Sequence, residues 1–439
     1  MKKISFLCLF TLVFTTLLAQ NDPAAKKQQY VRRNVKTFTQ TEINELTKAI
    51  IAMKNRTSLF DPSINAYDYF AKIHWYALNG ETSAAHNHSS SATHGMGHIA
   101  HENPGFLPWH REFIRRVEME LKVSTGKQNY TLPYWDWTDR SYDAYIFSDK
   151  FMGSNGVKGS NYEVLDGPFG KRANQFQVTY QSAFDNPEGG SLYLQRHFGS
   201  TPFAKSLPDA NDVAQALAIS AYDVYPWSAE TNPQKSFRQF WEGFRPIPGV
   251  SPTTVAARTH GQVHIYVGGH LLSDASPNDP LFFLHHCNVD RVFAEWQDRW
   301  GTFNFPRTWI DTLHNVTHNW REIMPPFSSS FRDMLDLRAS GIRYDSQRSV
   351  LSGSETMLEI EVFPNPTTDL VHVIMQNIEA EEVQIKLFSA TGVTLQHKIA
   401  TVQEKAVQTT LDFENYPPGI YLLQAEYEGR SLTKKMVKQ

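Results

Sequence analysis

Six histidines in two groups of three carry the chemistry that this chain can do. In His260-Gly-Gln-Val-His264 two imidazoles stand four residues apart, so on a helix they share one face and can reach one ion. A third, His286, lies near the start of the next helical stretch, inside Ser276–Arg291, which reads SPNDPLFFLHHCNVDR. Upstream sits a matching half, His74, His101 and His110, the last within FLPWHREF. Neither half includes an obvious carboxylate or thiolate ligand. Imidazole suits zinc, copper, iron and nickel alike. A hydrolytic zinc site would place a glutamate beside the first histidine, as in HExxH. Here Gly261 follows His260, and His101-Glu102 has no second histidine at the required distance. Six neutral ligands leave the charge of two metal ions uncompensated, which favours low oxidation states and uptake of an anion. With 17 histidines in 439 residues, one HxxxH pair arises easily by accident, so the inference rests on the whole set.

The segments FLPWHREF, PYWDW, HGQVH and DPLFFLHHCNVDR, in that order, resemble the tyrosinases, catechol oxidases and oxygen-carrying hemocyanins. The resemblance runs from Tyr30 to Asp345. It implies two copper ions that take up dioxygen and oxidise a small phenol. It also implies that His74, His101 and His110 hold the first copper and His260, His264 and His286 the second. His94 and His98 compete with His101 for its place, and His86 and His88 with His74. His285 becomes a neighbour of the second copper or a lining of the substrate pocket. Asp290, four residues after His286, is expected to accept that ring's other N–H, with Arg291 neutralising it. Asn278 and Asp279 are expected to cap a helix beginning near Pro280. Tyr134-Trp135-Asp136-Trp137 reads as packing around the metal helices. Leu272 and Ser273 fall at the gate above the second copper, which small side chains leave open to bulky phenols.

The chain departs from the family members that hydroxylate monophenols. Those often have an asparagine after the first histidine of the second copper and a glutamate upstream, which together hold a proton-accepting water. This chain has Gly261 at the first position. Its nearest upstream acid is Glu242, either that glutamate at a longer spacing or a solvated carboxylate. A phenol ionises only near ~10, so a missing base hinders monophenols. The expectation is oxidation of o-diphenols to o-quinones with weak or absent hydroxylation. An o-aminophenol oxidase is the nearest alternative. A non-enzymatic copper- or oxygen-binding protein fits less well, because oxygen carriers belong to large assemblies with shielding domains.

The elements that must position these residues are read from apolar periodicity. Helices are expected over Thr41–Lys54, Tyr67–Leu78, His110–Lys122, Thr253–Tyr266 and Pro280–Trp300, with a polar loop over Gly80–Gly97. Arg111, Arg115 and Arg116 are expected mostly to face outward. Asp139–Val255 reads as loops and short helices. The expected fold class is a mainly α catalytic domain over residues 30–345, a four-helix bundle around the dicopper site. A polar linker over 346–357 and a small β-sandwich over 358–439 follow, from the alternation in Val371–Met375, Val383–Phe388 and Ile420–Tyr427.

Lys2 and Lys3 ahead of the apolar run Ile4–Leu18 read as a signal peptide over residues 1–19. No later run is long enough to span a membrane. Once that segment is removed Cys287 is the only cysteine, so no internal disulfide forms, and it reads as a small buried hydrophobe. No cysteine lies near His101 to form a thioether to it. A formal charge of −3 gives no reason to expect nucleic-acid binding. The FPNP opening, LFSATG, PPGIYLLQ and the basic end KKMVKQ resemble the C-terminal sorting domain of the type IX secretion system of Bacteroidetes. That resemblance implies the secretion machinery as partner and a secreted or cell-surface protein.

Overall fold

The computed structural model describes residues 30–79, 99–180, 191–227, 233–243, 257–301, 305–311, 316–337, 340–347 and 359–439, apart from 364, 377, 379, 404, 405 and 429. The expected signal peptide, most of the expected linker, and His86, His88, His94 and His98 lie outside the described residues. The chain divides into two compact units between Gln347 and Arg348.

The first unit is a helical core. Its helices are α1 (Gln40–Lys54), α2 (Asp68–Asn79), α3 (Phe106–Thr125), α4 (Asp143–Ile146), α5 (Ala210–Ala218), α6 (Phe237–Glu242), α7 (Thr259–Val267) and α8 (Leu281–Trp300). Strand β1 (Tyr30–Arg32) pairs in parallel with β4 (Ile342–Tyr344), and β2 (Thr308–Asp311) forms an antiparallel pair with β3 (Val316–Asn319). Helix α1 begins with a capping box, Thr39 and Glu42 exchanging side-chain and backbone hydrogen bonds. It buries Ile43, Leu46, Ile50 and Met53, the stripe that its sequence spacing demands.

Helix α3 starts four residues before His110, because Pro108 sits in the first turn, where its missing N–H costs nothing. It stops at Gly126, whose φ of 69° few other residues tolerate. Its Arg111 corrects the expectation of an outward face. That side chain is buried against α8, where Nε donates to Asp290 Oδ1 at 2.5 Å. The α8 helix carries almost its whole length inside the core, from Leu281 to Ala294.

The second unit is strand-rich, with β5 (Glu359–Phe363), β6 (Leu370–Gln376), β7 (Glu382–Ser389), β8 (Thr394–Thr401), β9 (Ala406–Asp412), β10 (Gly419–Tyr427) and β11 (Arg430–Lys438). They form one sheet ordered β11-β10-β7-β8 and another ordered β5-β6-β9. Alternate residues of both sheets, among them Val371, Val373, Ile385, Leu387, Leu411 and Leu423, meet in one apolar cluster.

Candidate metal centre

Helix α2 supplies His74, the turn after Ile99 supplies His101 and α3 supplies His110. All three are buried, with ligand atoms within 4.8 Å of one another. Helix α7 supplies His260 and His264, and α8 supplies His285 and His286, in a second buried group of the same compactness. The two groups adjoin. The His110 and His286 rings stack at 4.4 Å, and the His101 and His260 centroids lie 6.4 Å apart. The structure thus gathers all six histidines singled out by spacing, and adds His285 to the second group. That ring lies parallel to His260, 5.2 Å from it.

Backbone carbonyls orient the rings. His74 Nδ1 meets Asp274 O at 2.7 Å, His110 Nδ1 meets Phe106 O at 2.9 Å, His260 Nδ1 meets Glu242 O at 3.0 Å and His264 Nδ1 meets Leu271 O at 2.6 Å. A carbonyl only accepts, so each Nδ1 carries the proton and each Nε2 presents a lone pair. Burial pushes His74 down to about 3 and His264 to about 4, and holds His110, His260, His285 and His286 well below the ordinary histidine value. The rings are therefore neutral, and neutral imidazole is the form that binds metal.

The donor set fits copper ions. The Nε2 atoms of His260, His264 and His286 converge to 3.0–3.3 Å from one another. Those separations are well under twice a metal–nitrogen bond of ~2.0–2.1 Å. In the first group, the buried Nε2 atoms of His74 and His110 have no hydrogen-bond partner among the described residues. Buried polar atoms are rarely left so, and a cation between the rings satisfies them.

Two phenylalanines that the sequence reading passed over sit between the groups. Phe106 packs 4.9 Å from both His110 and His260. Phe282 stacks on His286 at 3.9 Å and meets His74 edge-on at 5.0 Å. Their signal lay in the FLPWH and DPLFFLHH motifs, where they precede ligand-type histidines by four residues. Trp137 stacks on Trp241 and reaches the His285 ring at 6.5 Å, a packing role for the WDW segment.

Asp290 does not orient His286. Its Oδ2 accepts from Arg32 Nη1 at 2.8 Å and from Tyr344 at 2.7 Å, and its Oδ1 accepts from Arg111. Nor does Arg291 neutralise it, since that guanidinium donates to Asn288 and Glu295. Asp290 lies one turn further along α8, where Arg32 of β1 and Arg111 of α3 engage it, and His286 Nδ1 has no hydrogen-bond partner among the described residues. Asp279 does serve the start of α8, accepting the Leu281 N–H at 2.9 Å. It is itself clamped by Nε and Nη2 of buried Arg196, which no motif announced. Asn278 instead donates to Tyr180 O. Leu272 is exposed and Ser273 half-buried, between the carbonyls that hold His264 and His74. Cys287 is a buried free thiol that burial pushes far above its usual value.

Glu242 is fully buried, not solvated. Oε1 accepts the Glu102 N–H at 2.7 Å and Oε2 accepts from Arg238 Nη1 at 2.8 Å. Burial pushes its carboxyl up to about 7 against the opposing pull of Arg238 and the Glu102 amide.

The chain is similar to known proteins. The common central domain of tyrosinase matches residues 64–299, and the secretion system C-terminal sorting domain matches residues 361–439. Grixazone synthase of Streptomyces griseus is 35% identical over 290 residues, 62% of this chain and 85% of that protein. The tyrosinase of Streptomyces glaucescens is 31% identical over 270 residues, 61% of this chain and 83% of that protein. A polyphenol oxidase of Thermothelomyces thermophila aligns at 22% identity over 61% of this chain and 70% of that one, with a TM-score of 0.43. Buried histidine clusters in such a chain define a copper oxidoreductase, a phenol oxidase of the type 3 class. The chain belongs to the tyrosinase family, followed by a sorting domain of the kind used in type IX secretion. No described helix is long and apolar enough to cross a membrane.

Proposed function

We propose that the protein is a secreted dicopper oxidase that converts o-diphenols to o-quinones with dioxygen. His74, His101 and His110 hold one copper, and His260, His264 and His286 hold the other. The observation that carries this reading is the convergence of the His260, His264 and His286 Nε2 lone pairs to 3.0–3.3 Å, with a second histidine trio against them. Copper, when bound, supplies the electron transfer between phenol and dioxygen. The chain's part is to hold neutral imidazoles in one tautomer through main-chain carbonyls and to exclude water with Phe106 and Phe282. Each o-diphenol gives up two electrons and two protons to become the o-quinone, so two diphenols together supply the four electrons and four protons that reduce one dioxygen to two waters.

The preference for diphenols rests on Gly261, which offers no amide beside His260, and on Glu242, whose two oxygens are already engaged by Arg238 and Glu102. Leu272 and Ser273 form the gate. The catalytic domain spans residues 30–345 as a four-helix bundle of α2, α3, α7 and α8. A linker over 346–357 leads to a β-sandwich over 358–439. Residues 1–19 direct export to the periplasm, and the C-terminal unit then directs the type IX machinery to deliver the enzyme to the surface or medium. Oxygen uptake by copper-loaded protein, with catechol and tyramine side by side, tests the reading. Rapid uptake with catechol and little with tyramine is expected. No uptake with either removes the oxidase, and equal rates remove the diphenol preference.

A further inference from the structure

Glu242 links His260 of the second histidine group to the residue that follows His101 of the first. Glu242 ends α6, and its main-chain carbonyl accepts the His260 Nδ1 proton at 3.0 Å. Its carboxylate accepts at 2.7 Å the backbone N–H of Glu102, the residue after His101. Glu102 has a φ of 57°, a left-handed conformation that costs a non-glycine residue free energy and persists only where its surroundings impose it. A charge-assisted bond to its N–H is such an imposition. The carboxylate is in turn immobilised. Arg238 bonds Oε2 and is itself held by Asp223, Nε to Oδ2 at 2.7 Å, all three residues being buried.

The carbonyl is fixed as firmly. Gly243 follows with a φ of 69°, and a Cβ there would lie 2.2 Å from Arg258 O. Only glycine lets the end of α6 approach the start of α7 so closely. Thr259 Oγ1 bonds Phe240 O and Trp241 O across the same junction.

We infer that Glu242 is a positioning residue which, through the chain Asp223–Arg238–Glu242, sets His101 relative to His260 and so the separation of the two metal ions. It acts as a crosspiece and not as a proton acceptor for substrate. The inference rests on the dicopper reading proposed above. Oxidised copper ions held close and bridged couple their spins and give no electron paramagnetic resonance signal, whereas ions held apart each give one. This readout is independent of turnover.

The wild-type protein is loaded first. Two coppers per chain with little signal upholds the dicopper reading, while one copper, or full signal, overturns that reading and the inference with it. Glu242→Ala keeps the main-chain carbonyl and loses the brace. It is expected to retain copper, to show most of it by resonance, and to lose ~10–100-fold in kcat, the usual cost of removing a group that orients a ligand, with KM for catechol unchanged. Glu242→Gln keeps an oxygen for the Glu102 N–H and is expected to stay largely silent. If Glu242→Ala fails to fold, Arg238→Gln, which unclamps the carboxylate, is expected to show an intermediate signal. Silent copper in Glu242→Ala, or in Arg238→Gln where that replaces it, overturns the inference. Equal loss of copper from the Ala and Gln variants does so as well.

Discussion

The Nε2 atoms of His260 and His264 face each other at 3.0 Å, one helical turn apart, while their Nδ1 protons go to the carbonyls of Glu242 and Leu271. Two lone pairs at that distance repel unless a cation lies against both. The acceptors are main-chain carbonyls, which fix tautomer without adding negative charge to the ligand set. Three residues beyond Leu271, the Asp274 carbonyl holds His74 of the other group. One short strap therefore orients a ring of each trio.

Removing a converging ring should empty one site. His264→Ala is expected to bring copper from two ions per chain to about one and to abolish catechol oxidation, a loss beyond the ~10–100-fold of an orienting partner. His98→Ala should keep both ions. Elemental analysis with an oxygen-uptake assay checks this. Retention of two coppers by His264→Ala would falsify the ligand assignment.

Gly261→Asn should raise turnover of tyramine relative to catechol. The new amide stands beside His260, where it helps hold a water able to take the phenol proton. Initial rates on both substrates give the ratio. An unchanged ratio, in this variant and in one that also places a glutamate nearer His260, removes the missing-base explanation.

Asp290 offers the contrast of a buried acid that serves the fold. Asp290→Asn leaves Arg32 and Arg111 short of their shared counter-charge, and breaking a buried pair from one side costs ~3–5 kcal/mol. The thermal midpoint should fall steeply while copper per folded chain stays the same. Specific copper loss in a folded variant would return Asp290 to the metal centre.

That case shows where sequence reading stops. His260 and His264 were legible because four residues make one helical turn, and His110 and His286 because their motifs are dense. The partner of Asp290 was not, because Arg32 and Arg111 lie 258 and 179 residues away. The ring acceptors were invisible for a different reason, since every residue has a carbonyl and only the fold selects Asp274 or Leu271. Strands β6, β7 and β10 showed alternation. In β8 every residue is exposed or half-buried, so no apolar face marked it.

His270 gives a pH prediction away from the metal ligands. Its Nδ1 accepts the Gln195 N–H at 2.9 Å, and burial pushes it down to about 4. Its unfolded value is ~6.5. The unfolded chain therefore binds the extra proton between those values, so stability is full above the unfolded value and drains as pH falls towards 4. The loss from this group is about 3 kcal/mol when complete. His270→Gln should flatten unfolding free energy against pH in that window, measured by denaturant titration at fixed copper content. An unchanged slope excludes His270 as its source.

The two apolar clusters belong to different parts of the chain, one from Val35 to Tyr344 and the other from Ile360 to Met436. A unit with its own core is expected to fold alone. A chain ending at Ser354 should thus keep its copper, its catechol oxidation and its thermal midpoint. In a host with type IX export, the full-length chain should reach the surface or medium while the truncated chain stays behind, followed by immunoblot of cell fractions. Normal export of the truncated chain refutes the sorting role. Loss of copper or solubility on truncation would mean instead that the strand-rich unit completes the oxidase.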